Sequence, residues 1–537
     1  MELSFLDLPG FRNLRATLLF LALVYLLIPA GPARCAEGPS TFAIESFMVD
    51  GNTLLSGKKI LDLLQRHKGP DKTAEDVEKA RDALEKMYHD AGYPAVLVNI
   101  PEQQVRGGRI RLQIIESKIG NVRVTGNRWY TEEKIRRDLP ALAPGKVLFV
   151  PEVQKELERL NRQDIKAAPS LSPGSELGLT DVDIKVEDQL PLHGNLELND
   201  RSTHNTSDLR LNTMLRYDNL WQRDHSLSAQ FQASPENMGQ VKMYALSYTL
   251  PTPWDADHQI AVYGVKSDSN SAVFGQGLLI NGKGSILGVR YVIPLAPYAT
   301  YTHNLTVGFD YKDFRDSTNF VTGGGATTPI KYAPGLFSYN ASLPDALGAT
   351  RFSSGLNMVF RGLITNEDKF NQVARYNARG NYLFFTAGVE RDLKLPAGMG
   401  LFLKLDGQIA DQPLISHEEY IAGGMTNVRG YKEAEALGDD ALHGTMELLA
   451  PDMGRLLGLA DRLRLTPYLF YDYAWLEVIN PLPSQRATTC LQGTGAGFRG
   501  AFLKNWYYEL DLGVPLVATS QTPKYRGQLH FKAGVQF

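Results

Sequence analysis

Few residues of this 537-residue chain stand in an arrangement that could make or break a bond, and those that come near fail on context. Gly277, Gly282 and Lys283 have the spacing of a phosphate-binding loop, in which backbone amides cradle phosphates beside a lysine. Gly284 stands where a magnesium-binding hydroxyl belongs, and the following SILGVRYVIPL reads as a strand rather than the required helix. Gly495, Gly497 and Gly500 spell GxGxxG, yet the AFLKNWYYELDLG behind them alternates as a strand too. These glycines are therefore read as lying in or beside strands. His417 opens an HEEY segment that lacks the second histidine of a zinc-protease helix, and no close His/Cys group has metal-ligand spacing. A GxSxG nucleophile elbow is absent from the sequence. No catalytic residue, cofactor or metal is expected. The stretch Glu418 to Glu435, EEYIAGGMTNVRGYKEAE, is different: Gly423 and Gly424 precede the run Val428, Arg429, Gly430 and Tyr431. Taken alone, that run fits an exposed loop arginine as readily as a functional one.

The elements that would hold this loop are written in a period of two. In the last eleven residues, GQLHFKAGVQF, apolar Leu529, Phe531, Ala533, Val535 and Phe537 alternate with Gln528, His530, Lys532, Gly534 and Gln536. Such a strand has one greasy and one wet face, and the greasy face suits lipid as well as a core. From about Gln189 onward the same pattern recurs. Leu227, Ala229, Phe231 and Ala233 alternate with polar residues, as do Leu305, Val307, Phe309 and Tyr311, then Leu401, Leu403 and Leu405, then Tyr508, Leu510, Leu512 and Val514. The intervening side chains are too charged for a second buried face. About 350 residues at roughly 20 to 24 per strand and connection give about 16 antiparallel strands, an even number within the range of outer-membrane barrels. A soluble β-sandwich would leave the strand number and the terminal aromatic unexplained.

The first third carries an internal repeat at an offset of about 75 residues. Val49, Gly51, Asn52, Ser56, Lys59 and Ile60 match Val124, Gly126, Asn127, Thr131, Lys134 and Ile135. Each copy reads as β-α-α-β-β, with Ser56 or Thr131 placed to cap the first helix. In the second helix Val77, Ala80, Leu84, Met87 and Ala91 share a face in one copy, and Val153, Leu157 and Leu160 in the other. Closing strands are expected over Ala95 to Ile100 and Arg109 to Ile115, then about Ala167 to Leu171 and Leu177 to Val186. Ahead of the repeat, Arg12 and Arg15 precede the apolar run Ala16 to Ala30 and small residues up to Cys35, which matches a secretory signal peptide. That run is short for a spanning helix, and no later segment reaches the roughly 20 apolar residues one needs. With Cys35 at the cleavage site, Cys490 is left as a single thiol without a disulfide partner. The net charge of −3 gives no global attraction to nucleic acid, and none is expected as a partner.

The run Val428 to Tyr431 behind paired glycines resembles the signature loop of the outer-membrane transporters of two-partner secretion (the TpsB type), relatives of the haemolysin and filamentous-haemagglutinin exporters. Gly438-Asp439 and Gly444 with Glu447 resemble that family's next strand, and Phe470-Tyr471-Asp472 resembles its lumen-facing F-x-D motif. The resemblance covers essentially the whole mature chain. It implies a signal peptide (1–35), a short segment (36–41), two periplasmic α+β domains of the polypeptide-transport-associated (POTRA) type (42–117 and 118–188), and a transmembrane antiparallel β-barrel (189–537). It also implies that the loop folds back into the lumen. A guanidinium in a narrow polar lumen is best satisfied bidentately by a carboxylate on the wall. Asp472 is then the expected partner of Arg429 and Glu447 a second candidate, with Phe470 beside them; Gly430 would permit the tight turn that packs Tyr431.

The function so implied is a pore in the outer membrane of a Gram-negative bacterium that recognises an unfolded partner polypeptide in the periplasm and exports it to the cell surface. Docking is expected by strand addition along Ala95, Val96, Leu97, Val98, Asn99 and Ile100, beside the helix from Thr73 to Ala91. Phe537, Val535 and Phe531 would serve recognition by the barrel-insertion machinery, the closing strand pairing with the first near Gly194 to Asn199 in contact with outer-membrane lipid. Many family members begin with a pore-plugging helix, whereas about six residues separate the cleavage site from the first strand here, so closure would fall to the Arg429 loop together with extracellular loops. A barrel-assembly factor shares these modules and the loop; a passive porin would leave the repeated domains unexplained.

Overall fold

The computed structural model describes residues 41–537 apart from 205, 270–271, 276–277, 320–324, 361, 363–368 and 484. The expected signal segment, with Cys35, the stretch 36–40 and Gly277 of the phosphate-loop match lie outside the described residues. The chain divides into two compact units.

In the first unit, Ser46–Asp50 lies parallel to the central strand Arg109–Glu116, and Val96–Asn99 pairs antiparallel on the other side. The helices Gly57–Leu64 and Ala74–Asp90 stand between the first and second of these strands in the chain, as the repeat predicts. The period did not show a further short pair, Phe42–Ile44 with Gly69–Lys72. Helix Ala74–Asp90 starts where Asp76 accepts the backbone N–H of Thr73 at 3.0 Å, which satisfies an otherwise orphaned donor. It buries Val77, Ala80, Leu84 and Tyr88. The expected face is thus displaced at its end: Met87 is half-buried and Ala91, past the last turn, is exposed, because Tyr88 reaches in and donates to Asn52 at 2.6 Å. Burial pushes the Tyr88 phenol up to about 12. Ser56 precedes its helix but makes no side-chain cap, whereas Thr131 Oγ1 accepts the N–H of Lys134 at 3.2 Å as expected.

The second copy repeats the order, with Lys118–Thr125 parallel to Leu179–Asp188 and Ile165–Pro173 at the sheet edge. On its helix Val150–Leu160, Glu156 is buried with Val153 and Leu160, and Leu157 is only half-buried. The Glu156 carboxylate turns inward to accept the N–H of Ala141 at 2.9 Å, and burial raises its pKa despite that bond.

The second unit is a closed antiparallel barrel of sixteen strands, running from Leu192–Asn199 to Gln528–Gln536. Seventeen segments give sixteen strands because Gly325–Tyr332 and Pro334–Asp345 pair with successive stretches of the long strand Thr302–Asn319 and act as one. Lys532–Gln536 pairs with Asn195–Asn199, and Gly194 and Phe537 exchange backbone hydrogen bonds of 3.0 and 3.1 Å that close the ring. The alternation predicts the outer face: Leu246, Leu405, Leu512 and Leu529 are each about half exposed, a lipid-facing band. On the orientation that the resemblance implies, with the N-terminal domains periplasmic, turns such as 395–399 would be periplasmic and the long connections at the opposite end of the strands, including 411–439, extracellular.

Candidate functional site

The connection from strand Gly400–Ala410 to strand Asp440–Leu449 does not stay at the rim. Its residues Val428 to Tyr431 meet Glu447, seven residues beyond Asp440 and therefore ~23 Å along the strand at ~3.3 Å per residue. The loop thus descends into the barrel. There Arg429 is buried, 4% exposed, and donates from Nε and one terminal nitrogen to the two oxygens of Asp472, both at 2.8 Å. Its other terminal nitrogen donates to Glu447 at 2.7 Å, and its own backbone N–H reaches Asp472 at 3.1 Å. The guanidinium carbon lies 3.6 Å from the ring centre of Phe470, a cation–π contact shielded from water. Arg429, Asp472, Glu447 and Phe470 thus lie together in the barrel.

A cation with so many acceptors can be held only if the backbone carrying it lies flat against the wall. Strands Thr488–Phe502 and Trp506–Pro515 make this possible by presenting inward-facing glycines opposite the aromatic and acidic residues: Gly493 pairs with Asp472, and Gly495 with Phe470 and Gly513. A Cβ on Gly493 would lie 1.9 Å from the Arg429 carbonyl oxygen, and one on Gly513 would lie 2.4 Å from the Gly430 nitrogen. Gly430 itself has φ +97°, a conformation costly for any residue with a Cβ. Its neighbour Tyr431 is fully buried among Val428, Ala422, Ala441, Ala474, Leu476 and Leu491, and its hydroxyl donates to the Val517 carbonyl at 2.7 Å.

A family model of the haemolysin secretion/activation proteins ShlB/FhaC/HecB matches residues 178–500, most of the barrel and more than half of the chain. The chain belongs to that family. A second model, the POTRA domain of ShlB type, matches residues 42–117. Among curated relatives, the haem/haemopexin transporter protein HuxB of Haemophilus influenzae (strain 86-028NP) is 19% identical over 469 residues, 85% of this chain and 80% of that protein. The outer membrane transporter CdiB of Dickeya dadantii is 24% identical over 194 residues, 36% of this chain and 34% of that protein. The solved structure of CdiB from Escherichia coli superposes with a TM-score of 0.64 at 17% identity, covering 95% of this chain and 93% of that one. The solved structure of BamA from Haemophilus ducreyi lacking POTRA domains 1–3 reaches 0.56 at 12% identity, covering 93% of this chain and all of that one. As a member of the ShlB/FhaC/HecB family, this chain is an outer-membrane transporter that exports a partner protein, with its POTRA module in the periplasm.

Within the transporter, several residues of the loop seat were not singled out by the sequence. Arg499 donates to the second Glu447 oxygen at 2.8 Å, and Tyr468 to Asp511 at 2.5 Å, so the wall carboxylates are themselves held. His530, on the wet face of the closing strand, accepts the N–H of Gly430 at 3.2 Å through Nε2. Its Nδ1 must then carry the proton and donate to Asp200, 3.0 Å away. The alternation marked His530 as lumen-facing, but nothing in the chain pointed it at a residue one hundred positions away. The glycine spacing at 495–500 was a signal of a different kind, since Gly495 and Gly497 leave space for Phe470 and Asp511. Gly493→Ala is expected to lift the loop, weakening its seat by ~1–3 kcal/mol as overpacking does. Faster protease cleavage of the stretch 411–439 in the intact barrel is the readout.

The expected docking strand is observed as Val96–Asn99, at the sheet edge. Val98 donates its N–H outward to Glu85 at 2.9 Å, His89 Nε2 lies 3.0 Å from the Val96 carbonyl, and the Val96 N–H goes to Tyr93 at 3.3 Å. Helix side chains therefore already occupy part of this edge.

Proposed function

We propose that the Arg429 loop is the moving element of export and that the edge Val96–Asn99 is where the partner polypeptide docks. The observation that carries this reading is the loop seat: a buried arginine on a chain segment anchored at both ends enters the lumen, held by polar bonds and backbone-on-glycine contact beside a small apolar cluster around Val428 and Tyr431. Such a seat is specific yet releasable, since each charge removed from it finds water in the lumen. The partner would arrive extended, displace Glu85 and His89 from the edge, and gain backbone hydrogen bonds there while alternate side chains choose it. Passage through the barrel follows once the loop shifts. Folding of the partner outside, with return hindered, supplies the direction. Residues 118–188 act as a second POTRA domain, and Phe537, whose ring covers Gly194 at the seam, marks the chain for the barrel-insertion machinery and faces outer-membrane lipid.

The likeness in fold to BamA keeps one rival in view, a role in barrel assembly. Deleting the gene separates them. Loss of the partner from the cell surface with normal levels of other outer-membrane barrels is expected; depletion of those barrels with the partner still exported would favour assembly.

A further inference from the structure

A polypeptide channel is expected to have a wet lumen, but the extracellular half of this one is apolar on one side. Met243, Tyr263, Val265, Ile286, Phe314, Ile330 and Tyr332 are buried, while their strand neighbours Tyr244, Leu246, Val262 and Leu287 are exposed. The buried set therefore points inward, and apart from Tyr263 at mid-strand its members lie toward the extracellular ends of their strands. What it packs against is not the Arg429 segment. It is the π-helical turn Phe370–Ala374 with Ala378 and Tyr382, from the connection after strand Gly348–Val359, together with Leu414 and Ile415 at the start of the loop that carries Arg429. Phe370 and Leu414 are fully buried.

One arginine ties these pieces together. Arg375 grips Asp439 bidentately, at 2.8 and 2.6 Å, and Asp439 is fully buried at the head of the strand that follows the loop. Arg375 also donates to the Leu414 carbonyl at 2.7 Å and to the Ile479 carbonyl at 3.3 Å, and pairs with Glu419. The same Asp439 oxygens accept the N–H groups of Leu414 and Ile479, both at 2.7 Å. Three extracellular connections thus converge on one carboxylate and one guanidinium. A second tie, Lys312 and Tyr332 on Glu418 at 2.5 and 2.7 Å, fixes the same stretch to the wall.

We infer that Arg375 is a positioning residue for gating: through Asp439 and Leu414 it holds an apolar stopper, built on Phe370, Tyr382, Leu414 and Ile415, in the extracellular half of the lumen. An apolar constriction excludes water and ions without a deep plug. The lumen is then closed at two levels, by the Arg429 segment on one wall and by this stopper on the other, and both belong to or touch the same loop. Displacing that loop releases both. This rests on the lumen being the export path.

The test is single-channel recording of the purified full chain in planar bilayers, without any partner polypeptide, so that its failure leaves the export and docking readings untouched. Arg375→Ala is expected to raise the time spent in large open states at least tenfold over the parent, with barrel abundance and heat-modifiability unchanged. Arg375→Lys keeps the charge but not the two-pronged bond, and is expected to fall between. A folded Arg375→Ala as quiet as the parent overturns the inference. Should Arg375→Ala fail to assemble, Phe370→Ser carries the same decision by weakening the stopper itself: a raised open time supports it, and a quiet channel overturns it.

Discussion

Replacing Arg429 with alanine is expected to abolish export while leaving a folded, heat-modifiable barrel in the outer membrane. The substitution removes two bonds to Asp472 and one to Glu447 and leaves both carboxylates in a seat built for a cation. Removing one partner of a buried ion pair costs ~3–5 kcal/mol, the range in which an ordered loop position is lost. The barrel's own ladder does not pass through this residue, so its closure should survive. Arg429→Lys tests the geometry: an ammonium can reach one carboxylate but cannot bridge two and lie on Phe470, so export should recover only in part. Asp472→Asn should resemble the alanine variant more closely than Glu447→Gln does, because Asp472 takes both prongs and the Arg429 backbone N–H, whereas Glu447 keeps Arg499. Export is read as partner protein at the cell surface against barrel abundance. Normal export by a folded Arg429→Ala protein would sink the role given to the loop.

The second large effect is expected at the docking edge, with Val98→Pro. Val98 directs its N–H away from the sheet, to Glu85, so a proline there removes a bond the incoming strand would use without cutting the ladder to Arg109–Glu116. Each backbone bond of an added strand is worth ~1 kcal/mol net, and ~1.4 kcal/mol is tenfold in affinity, so loss of this one bond should weaken partner binding about fivefold. Glu85→Ala combined with His89→Ala makes the opposite prediction: clearing the side chains that occupy the edge should tighten binding. Binding of the partner to the full-length transporter, by titration, checks both signs. Equal affinities for all three proteins would remove this edge from the mechanism.

The contrast between these two regions shows what the chain wrote plainly and what it did not. The barrel was legible because lipid on one side and lumen on the other impose a period of two on every strand, and the closing run Gly527 to Phe537 carries that period without interruption. Arg429 and Asp472 were legible only through a resemblance, since forty-three residues separate them and no periodicity links the two. Gly495 and Gly497 were read as lying in or beside strands, but their purpose, clearing space for Phe470 and Asp511, requires the strand register, and so does that of Gly493 and Gly513, which clear space for the loop backbone. Ser56 shows the reverse failure: a good capping residue at the right place whose hydroxyl does not cap. Helix side chains Glu85 and His89, four residues apart, share a face by spacing alone, yet which strand they would meet depended on the sheet order. Arg375 carried no sequence signal, because its partners come from two other connections distant in the chain.

The claim on which everything else depends is that the partner polypeptide passes through the lumen lined by this loop seat. A photo-activated cross-linking side chain placed at Arg499, which faces the lumen, and another at its lipid-facing neighbour Phe498 tests it in cells with export stalled midway. A cross-link to the partner from position 499 and none from 498 is the expected result. Cross-linking from 498 alone, or from neither while export proceeds, would contradict the account.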